Sequence, residues 1–169
     1  MNRKRQSKIK KFLDNQPTVA CRGLCHGSCT VIGMTPTEFV QLTRVSGKEP
    51  KVTPDMKCNY LVDNRCSVYE YRPMVCRQFG TTERLPCPYG CVPSRLMTEV
   101  EGYEQLRKFS ELCGDDPYAV KYNGTRKQIY DNYIAEGIPA DIAQSMLPPL
   151  NHEENQELCE SIINQMRKS

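Results

Sequence analysis

The sequence has no tryptophan, two histidines and four phenylalanines, and Val, Ile, Leu and Phe together make up about one residue in five. So thin an apolar complement lies at the lower edge of what packs a globule. No run approaches the roughly 18 apolar residues of a membrane span, so no membrane partner is expected. A net charge of +3 over 169 residues lacks the strong self-repulsion of a disordered chain. Also missing are a G-x-G-x-x-G turn, a P-loop and a G-x-S-x-G elbow, which leaves no nucleotide cradle and no hydrolase nucleophile in view. No complete active site is visible, and the reading leans away from an enzyme. The length suits one compact domain.

What the chain does have is ten cysteines. Such a number means disulfides or metal, and the compartment decides which. Met1–Lys11 is basic, but Phe12-Leu13-Asp14-Asn15-Gln16-Pro17 follows in place of the apolar stretch of a secretory signal. The expectation is therefore a cytoplasmic, reducing setting where thiols stay free and recruit metal. Arg3, Lys4, Arg5, Lys8, Lys10 and Lys11 precede the first acid, Asp14. With those six set aside, 17 basic residues face 20 acidic ones. A basic tail on an acidic body can meet nucleic acid. No aromatic residues interleave with these charges, however, so a stacking site is unsupported and a solvated helix is the simpler reading.

Eight cysteines fall between 21 and 91, in a stretch rich in Gly, Pro and turn residues, while the second half reads as helices. The organisation expected is a basic segment over 1–19, a cysteine-rich metal-binding core over 20–93 and a helical region over 94–169, forming one compact domain. The fold class expected is mainly α with a small β-hairpin: an irregular, metal-organised core covered by C-terminal helices.

Local chemistry marks the helices. Thr35-Pro36-Thr37-Glu38 combines an N-cap, a first-turn proline and a capping-box glutamate, and Gly47 follows as the stop. A second helix is expected from about Ser94 to Cys113, ended by Gly114. Thr125 with Gln128 opens a third, with Ile129, Tyr130, Tyr133 and Ile134 on one face. Pro139 starts a short helix that ends before Pro148-Pro149. Asn151 with Glu154 caps a last helix carrying Cys159, Ile162, Ile163 and Met166 as a stripe. Two strands flanking Asp63-Asn64-Arg65 predict a hairpin. A three-residue loop pairs Val62 with Cys66 and puts Cys58 and Cys66 on one face. A two-residue loop pairs Leu61 with Cys66 and sends the sulfurs to opposite faces. If both sulfurs serve one metal, the longer loop or a bulge is required.

The cysteine spacing is C-x3-C-x3-C-x28-C-x7-C-x9-C-x10-C-x3-C from Cys21. No pair is two residues apart, so the tight knuckle of zinc ribbons is absent. Iron–sulfur clusters accept varied spacing, because the sulfurs reach irons spread over a cube. Cys21, Cys25 and Cys29 could wrap three corners, and Cys87-Pro88-Tyr89-Gly90-Cys91 forms a second tight loop. Eight ionised thiolates could not be buried without cations. Bound metal would supply most of that charge, with Arg22, Arg65, Arg72 and Arg77 contributing. Arg72-Pro73 starts a helical turn that aims Cys76 inward. Arg72 or Arg77 then donates to metal-bound sulfur, or simply pairs beneath the loop with Tyr69 and Phe79. His26 lies between two candidate ligands and could coordinate, with a solvent-facing flank the simpler reading. Cys113, in register with Leu106 and Phe109, and Cys159 read as core thiols rather than ligands.

Cys58-Asn59-Tyr60-Leu61 followed by Cys66-Ser67-Val68-Tyr69-Glu70-Tyr71-Arg72-Pro73-Met74-Val75-Cys76-Arg77-Gln78-Phe79 resembles the zinc- or iron-chelating cysteine-cluster family (YkgJ-like). The resemblance covers about residues 20–91. It implies eight metal-binding cysteines, and a related domain occurs in flagellin lysine N-methylases. Cys58, Cys66 and Cys76 match the motif directly. Cys21, Cys25 and Cys29 match in position but not in spacing, since the family usually opens with C-x-x-C and then two adjacent cysteines. Cys87 and Cys91 complete the count. The reading is a metal-binding protein holding an iron–sulfur cluster, preferably 4Fe–4S, or Zn2+ through Cys21, Cys25, Cys29, Cys58, Cys66, Cys76, Cys87 and Cys91. Its role would be structural, redox, or transfer of metal or electrons to an unidentified protein partner. The alternatives are a component or relative of a cluster-dependent lysine N-methylase and a zinc-stabilised nucleic-acid-binding module.

Overall fold

The computed structural model describes residues 3–148, so the helix expected from Asn151, with His152 and Cys159, lies outside the described residues. Backbone contacts gather the chain into two compact units, 1–124 and 125–169. The architecture is mainly α with small antiparallel β pairs. Among the described residues no helix is long and apolar enough to cross a membrane.

In the first unit, α1 (Arg3–Asp14) carries the basic run, and its other face packs. Ile9, Phe12 and Leu13 lie against a buried cluster of Met74, Phe109 and Cys113, with the Phe12 and Phe109 rings 5.9 Å apart. Arg5 donates to the Cys113 carbonyl at 3.3 Å, placing a cation at the C-terminal end of α4 (Glu99–Cys113). The helix α2 (Pro36–Ser46) starts in the capping box of Thr35 and Glu38 and stops at Gly47 in the left-handed conformation, as the sequence predicts. Its Leu42 joins Met34, Tyr60 and Val68 in a second cluster, on which Cys58 and Cys66 also pack.

The strand β1 (Gly33–Met34) pairs antiparallel with β4 (Lys121–Tyr122), a ladder the sequence did not signal. Gly33 permits it, because a Cβ there would sit 2.7 Å from a Val120 methyl. Asn123, buried just past β4, accepts from the Ile32 N–H at 2.8 Å and donates to the Thr30 carbonyl at 3.1 Å. The hairpin β2 (Leu61–Val62) with β3 (Arg65–Cys66) turns through Asp63 and Asn64, both at positive φ. Its register is therefore that of the two-residue loop, Leu61 opposite Cys66. The helix α3 (Met74–Gln78) follows Pro73, and α4 (Glu99–Cys113) runs to a left-handed Gly114.

The helix α4 starts later than the expected Ser94. Ser94 and Met97 are engaged elsewhere: the Ser94 N–H donates to the Thr18 carbonyl at 2.7 Å, and the Met97 N–H to the Thr81 carbonyl at 2.9 Å. The turn then begins at Thr98, whose capping box with Glu101 was available in the sequence.

In the second unit, α5 (Arg126–Ala135) opens with the capping box of Thr125 and Gln128, and α6 (Ala140–Ser145) packs on it. Ile129 and Ala143 are buried. Ile134 is exposed, so the apolar face of α5 is narrower than the expected four residues.

Candidate metal centre

All nine described cysteines carry free thiols; Cys21 is exposed, Cys113 is buried, and the rest are half-buried. Electrostatics and hydrogen bonds sort the eight family-segment thiols into two sets. Burial pushes Cys76 up, and the negative charges acting on it are those of Cys58, Cys29, Cys66 and Glu38. Cys29 is pushed up to about 11 by burial first, then by Cys58, Cys66 and Cys25. Cys58 is raised by burial, with Cys66 adding to it and an N–H from Tyr60 and the Asn123 amide opposing. Cys29, Cys58, Cys66 and Cys76 thus lie within one another's field and form an inner set.

The second set forms around the two short cysteine loops. Cys25 is raised by burial and then by Cys21, with Cys87 also acting on it. Cys91 is held below the ordinary thiol range by donors from Arg22, both backbone and guanidinium, and by the Cys87 thiol. Arg22 also donates to the Tyr89 carbonyl, tying the 21–25 loop to the 87–91 loop. The Gly23 N–H points at the Cys21 sulfur at 3.3 Å. Cys21, Cys25, Cys87 and Cys91 are this outer set, and Cys25 is its link to Cys29.

Local backbone explains how the inner set converges. The Cys58 N–H donates to the Cys29 carbonyl at 2.8 Å, which brings segments 29 residues apart side by side. The chain then turns, with the Leu61 N–H on the Cys58 carbonyl at 3.0 Å. Cys58 therefore stands outside the hairpin, in a bridge with Val52. The expected conflict between a two-residue loop and a shared metal disappears, because strand alternation does not extend back to Cys58.

Cys76 rides on α3, whose start is fixed by Glu38. The buried carboxylate accepts from the Met74 N–H at 2.6 Å and from the Thr35 N–H at 2.8 Å. Burial raises the Glu38 pKa against those two bonds. The far end of α3 is fixed by Gln78, which donates to the Gly102 carbonyl of α4 at 2.7 Å. Gly102 also lets α4 approach Thr82 closely, since a Cβ there would meet the Thr82 methyl at 3.1 Å.

The arginines near Cys76 pair with backbone. Arg77 donates to the Arg72 carbonyl at 3.1 Å and to the Glu70 carbonyl, and Arg72 donates to the Tyr69 carbonyl at 2.8 Å while stacking 3.6 Å over the Tyr69 ring. They brace the loop beneath Cys76; the arginine that reaches a candidate sulfur is Arg22. His26 differs from its expected solvent-facing role, because its Nδ1 is buried without a hydrogen-bond partner. Cys113 stands apart in the Met74–Phe109 cluster, pushed up to about 12 by burial and then by Glu38 and Asp115. Asn123 and the second bond of Glu38 have no sequence signal, since each depends on contacts more than thirty residues away.

Four thiols per set match in kind and number what a tetrahedral zinc ion or a four-iron cluster takes. Among the described residues no three His, Cys, Asp or Glu side chains stand close enough together to hold a metal ion as placed.

A mainly helical chain whose loops collect cysteines belongs to the class of small cysteine-cluster domains. Residues 20–114, more than half of the chain, match the family CxxCxxCC, described as a "Putative zinc- or iron-chelating domain", and the chain belongs to that family. The match runs past Cys91 to the end of α4, beyond the 20–91 stretch that carries the sequence resemblance. No curated protein and no solved structure matches the chain.

Proposed function

We propose that the chain is a metal-binding protein that holds two centres through eight thiolates: Cys29, Cys58, Cys66 and Cys76 at one, Cys21, Cys25, Cys87 and Cys91 at the other. The observation that carries the reading is the division of the eight family-segment cysteines into two sets of four, with Cys113 left apart in an apolar cluster. Burial and the fields of neighbouring thiols raise Cys29, Cys58 and Cys76, which keeps these three protonated at neutral pH. A bound cation exchanges for those protons and relieves the repulsion, so metal binding and local folding are coupled.

The preferred occupant is a 4Fe–4S cluster, favoured by the missing two-residue knuckle; Zn2+ is the alternative, since four thiolates suit it equally in charge and softness. An iron–sulfur cluster would supply one-electron redox chemistry, and zinc a fixed cross-link. The residues of the chain do the rest. Glu38 and Gln78 hold the helix that presents Cys76, the Cys29–Cys58 backbone bond sets two ligands side by side, and Arg22 offsets charge at Cys91.

Anaerobic purification followed by elemental analysis and a visible spectrum tests this reading. Iron with matching sulfide and a broad charge-transfer band is the expected result. Zinc without the band replaces the cluster by its alternative, and a chain that purifies without metal and takes up neither zinc nor ferrous iron overturns the proposal.

A further inference from the structure

Resting on the two-centre reading, we infer that the centres do different work: the outer set is an exchange site that passes its metal to thiol ligands from outside, and the inner set keeps its metal for as long as the domain is folded.

The first argument is access. Arg22, Gly23 and Leu24 between the first two outer cysteines are exposed, as are Pro88, Tyr89 and Gly90 between the last two. Val92, beside Cys91, is 80% exposed. A Cβ added at Gly23 or Gly90 would meet nothing within 4 Å, so the 21–25 and 87–91 loops have open space at these positions. An incoming sulfur has a path to that side. The inner set is backed by apolar packing instead: Cys58 and Cys66 lie against Met34, Leu42, Tyr60 and Val68.

The second argument is what remains when the metal leaves. The outer loops are tied at their bases by protein alone. Val19 bridges Pro93, the Ser94 N–H donates to the Thr18 carbonyl at 2.7 Å, and the Ser94 hydroxyl accepts from the Thr18 N–H at 3.1 Å. Two pairs of ligands, each pair with three residues between its members, therefore stay in place to receive another ion. The inner ligands come from four separate segments. Two of these are a two-stranded hairpin and a five-residue helix, neither of which is stable alone. Losing the inner metal costs folding, and losing the outer one does not.

Exchange proceeds without redox change. In each of the successive swaps that would release all four outer cysteines, an acceptor thiol would give up its proton, its sulfur would bond to the metal, one metal–sulfur bond to an outer cysteine would break, and the released thiolate would take a proton. Cys91 suits that departure, because the Arg22 N–H and guanidinium receive its sulfur.

The test uses the full chain as purified with its metal, kept anaerobic and mixed with excess chromogenic chelator, with zinc and ferrous iron both measured. Two release phases of equal amplitude are expected. Iodoacetamide added at the end of the fast phase should label Cys21, Cys25, Cys87 and Cys91 and spare Cys29, Cys58, Cys66 and Cys76. Cys21→Ser and Cys91→Ser should each remove the fast phase and halve the bound metal while the slow phase stays. A single release phase, or labels on the inner thiols as early as on the outer ones, overturns the inference even if the metal content is full. Absence of metal from the purified and reconstituted chain instead overturns the two-centre reading beneath it. The labelling arm reads the native chain, so it decides the matter even if a serine variant fails to fold.

Discussion

The inner and outer thiols are the same chemical group in the same hundred residues, yet the protein surrounds them differently. Cys29, Cys58 and Cys76 are raised chiefly by burial, and Cys58 and Cys66 border a packed apolar cluster. Cys91 is lowered by donors on a neighbouring loop, and Cys21 is exposed. The contrast teaches that a cysteine count defines a ligand supply but not a site. What each thiol does is set by whether tertiary packing or local loop geometry holds it.

The largest expected effect breaks the comparison directly. Cys76→Ser removes an inner ligand, and with it a share of a metal-coupled folding energy on the order of 10 kcal/mol for a structural zinc site. Residues 29–78 should lose protection in hydrogen exchange, whereas Cys91→Ser should leave that protection in place. Equal loss in both variants would erase the distinction.

Leu42→Ala acts on the same region through packing. Leu42 is 1% exposed, and truncation should cost about 2–5 kcal/mol in chemical unfolding. The inner metal should then be released faster while the outer phase is unchanged.

Glu38 sharpens the comparison through pH. Its pKa is raised by burial, so the folded chain binds its proton more tightly than the unfolded chain does. Stability should therefore fall as pH rises from the ordinary carboxylate range through the folded pKa, with the whole penalty present above that point. The difference in thermal midpoint between Glu38→Gln and the natural chain should show that slope across mildly acidic pH. Glu38→Ala, which leaves the Met74 N–H unpaired, should cost about 1–3 kcal/mol at neutral pH.

The smallest effect is at the outer loops. In the metal-free chain, Cys91 should alkylate ahead of Cys29 and Cys113, because the thiolate is the reactive form. Arg22→Ala should slow that reaction and change stability by no more than about 0.5 kcal/mol. A rate at Cys91 that does not change would show that Arg22 does not activate it.

The parts legible in the sequence are those written in neighbouring residues. The capping boxes of Thr35 with Glu38 and Thr125 with Gln128 and the stops at Gly47 and Gly114 all depend on contacts within a few positions. The motif from Cys58 to Phe79 led to the family on the same basis. The late start of α4 was hidden because Met97 bonds to Thr81, and the β1–β4 ladder because its partners are nearly ninety residues apart. The hairpin register was open between two loops, and the left-handed pair Asp63 and Asn64 decided it. Which thiols meet was not legible at all. Spacing orders the cysteines along the chain, but the pairing of Cys29 with Cys58 comes from a backbone bond that no residue type announces.

One carboxylate also imposes an order on events. Glu38 closes the first turn of α2 and, through Met74, the first turn of α3. With five residues, α3 is too short to persist unaided. During synthesis α2 emerges first and holds an oxygen ready for a segment that has yet to leave the ribosome. The placing of Cys76 therefore waits on a hydrogen bond whose acceptor lies 36 residues earlier in the chain.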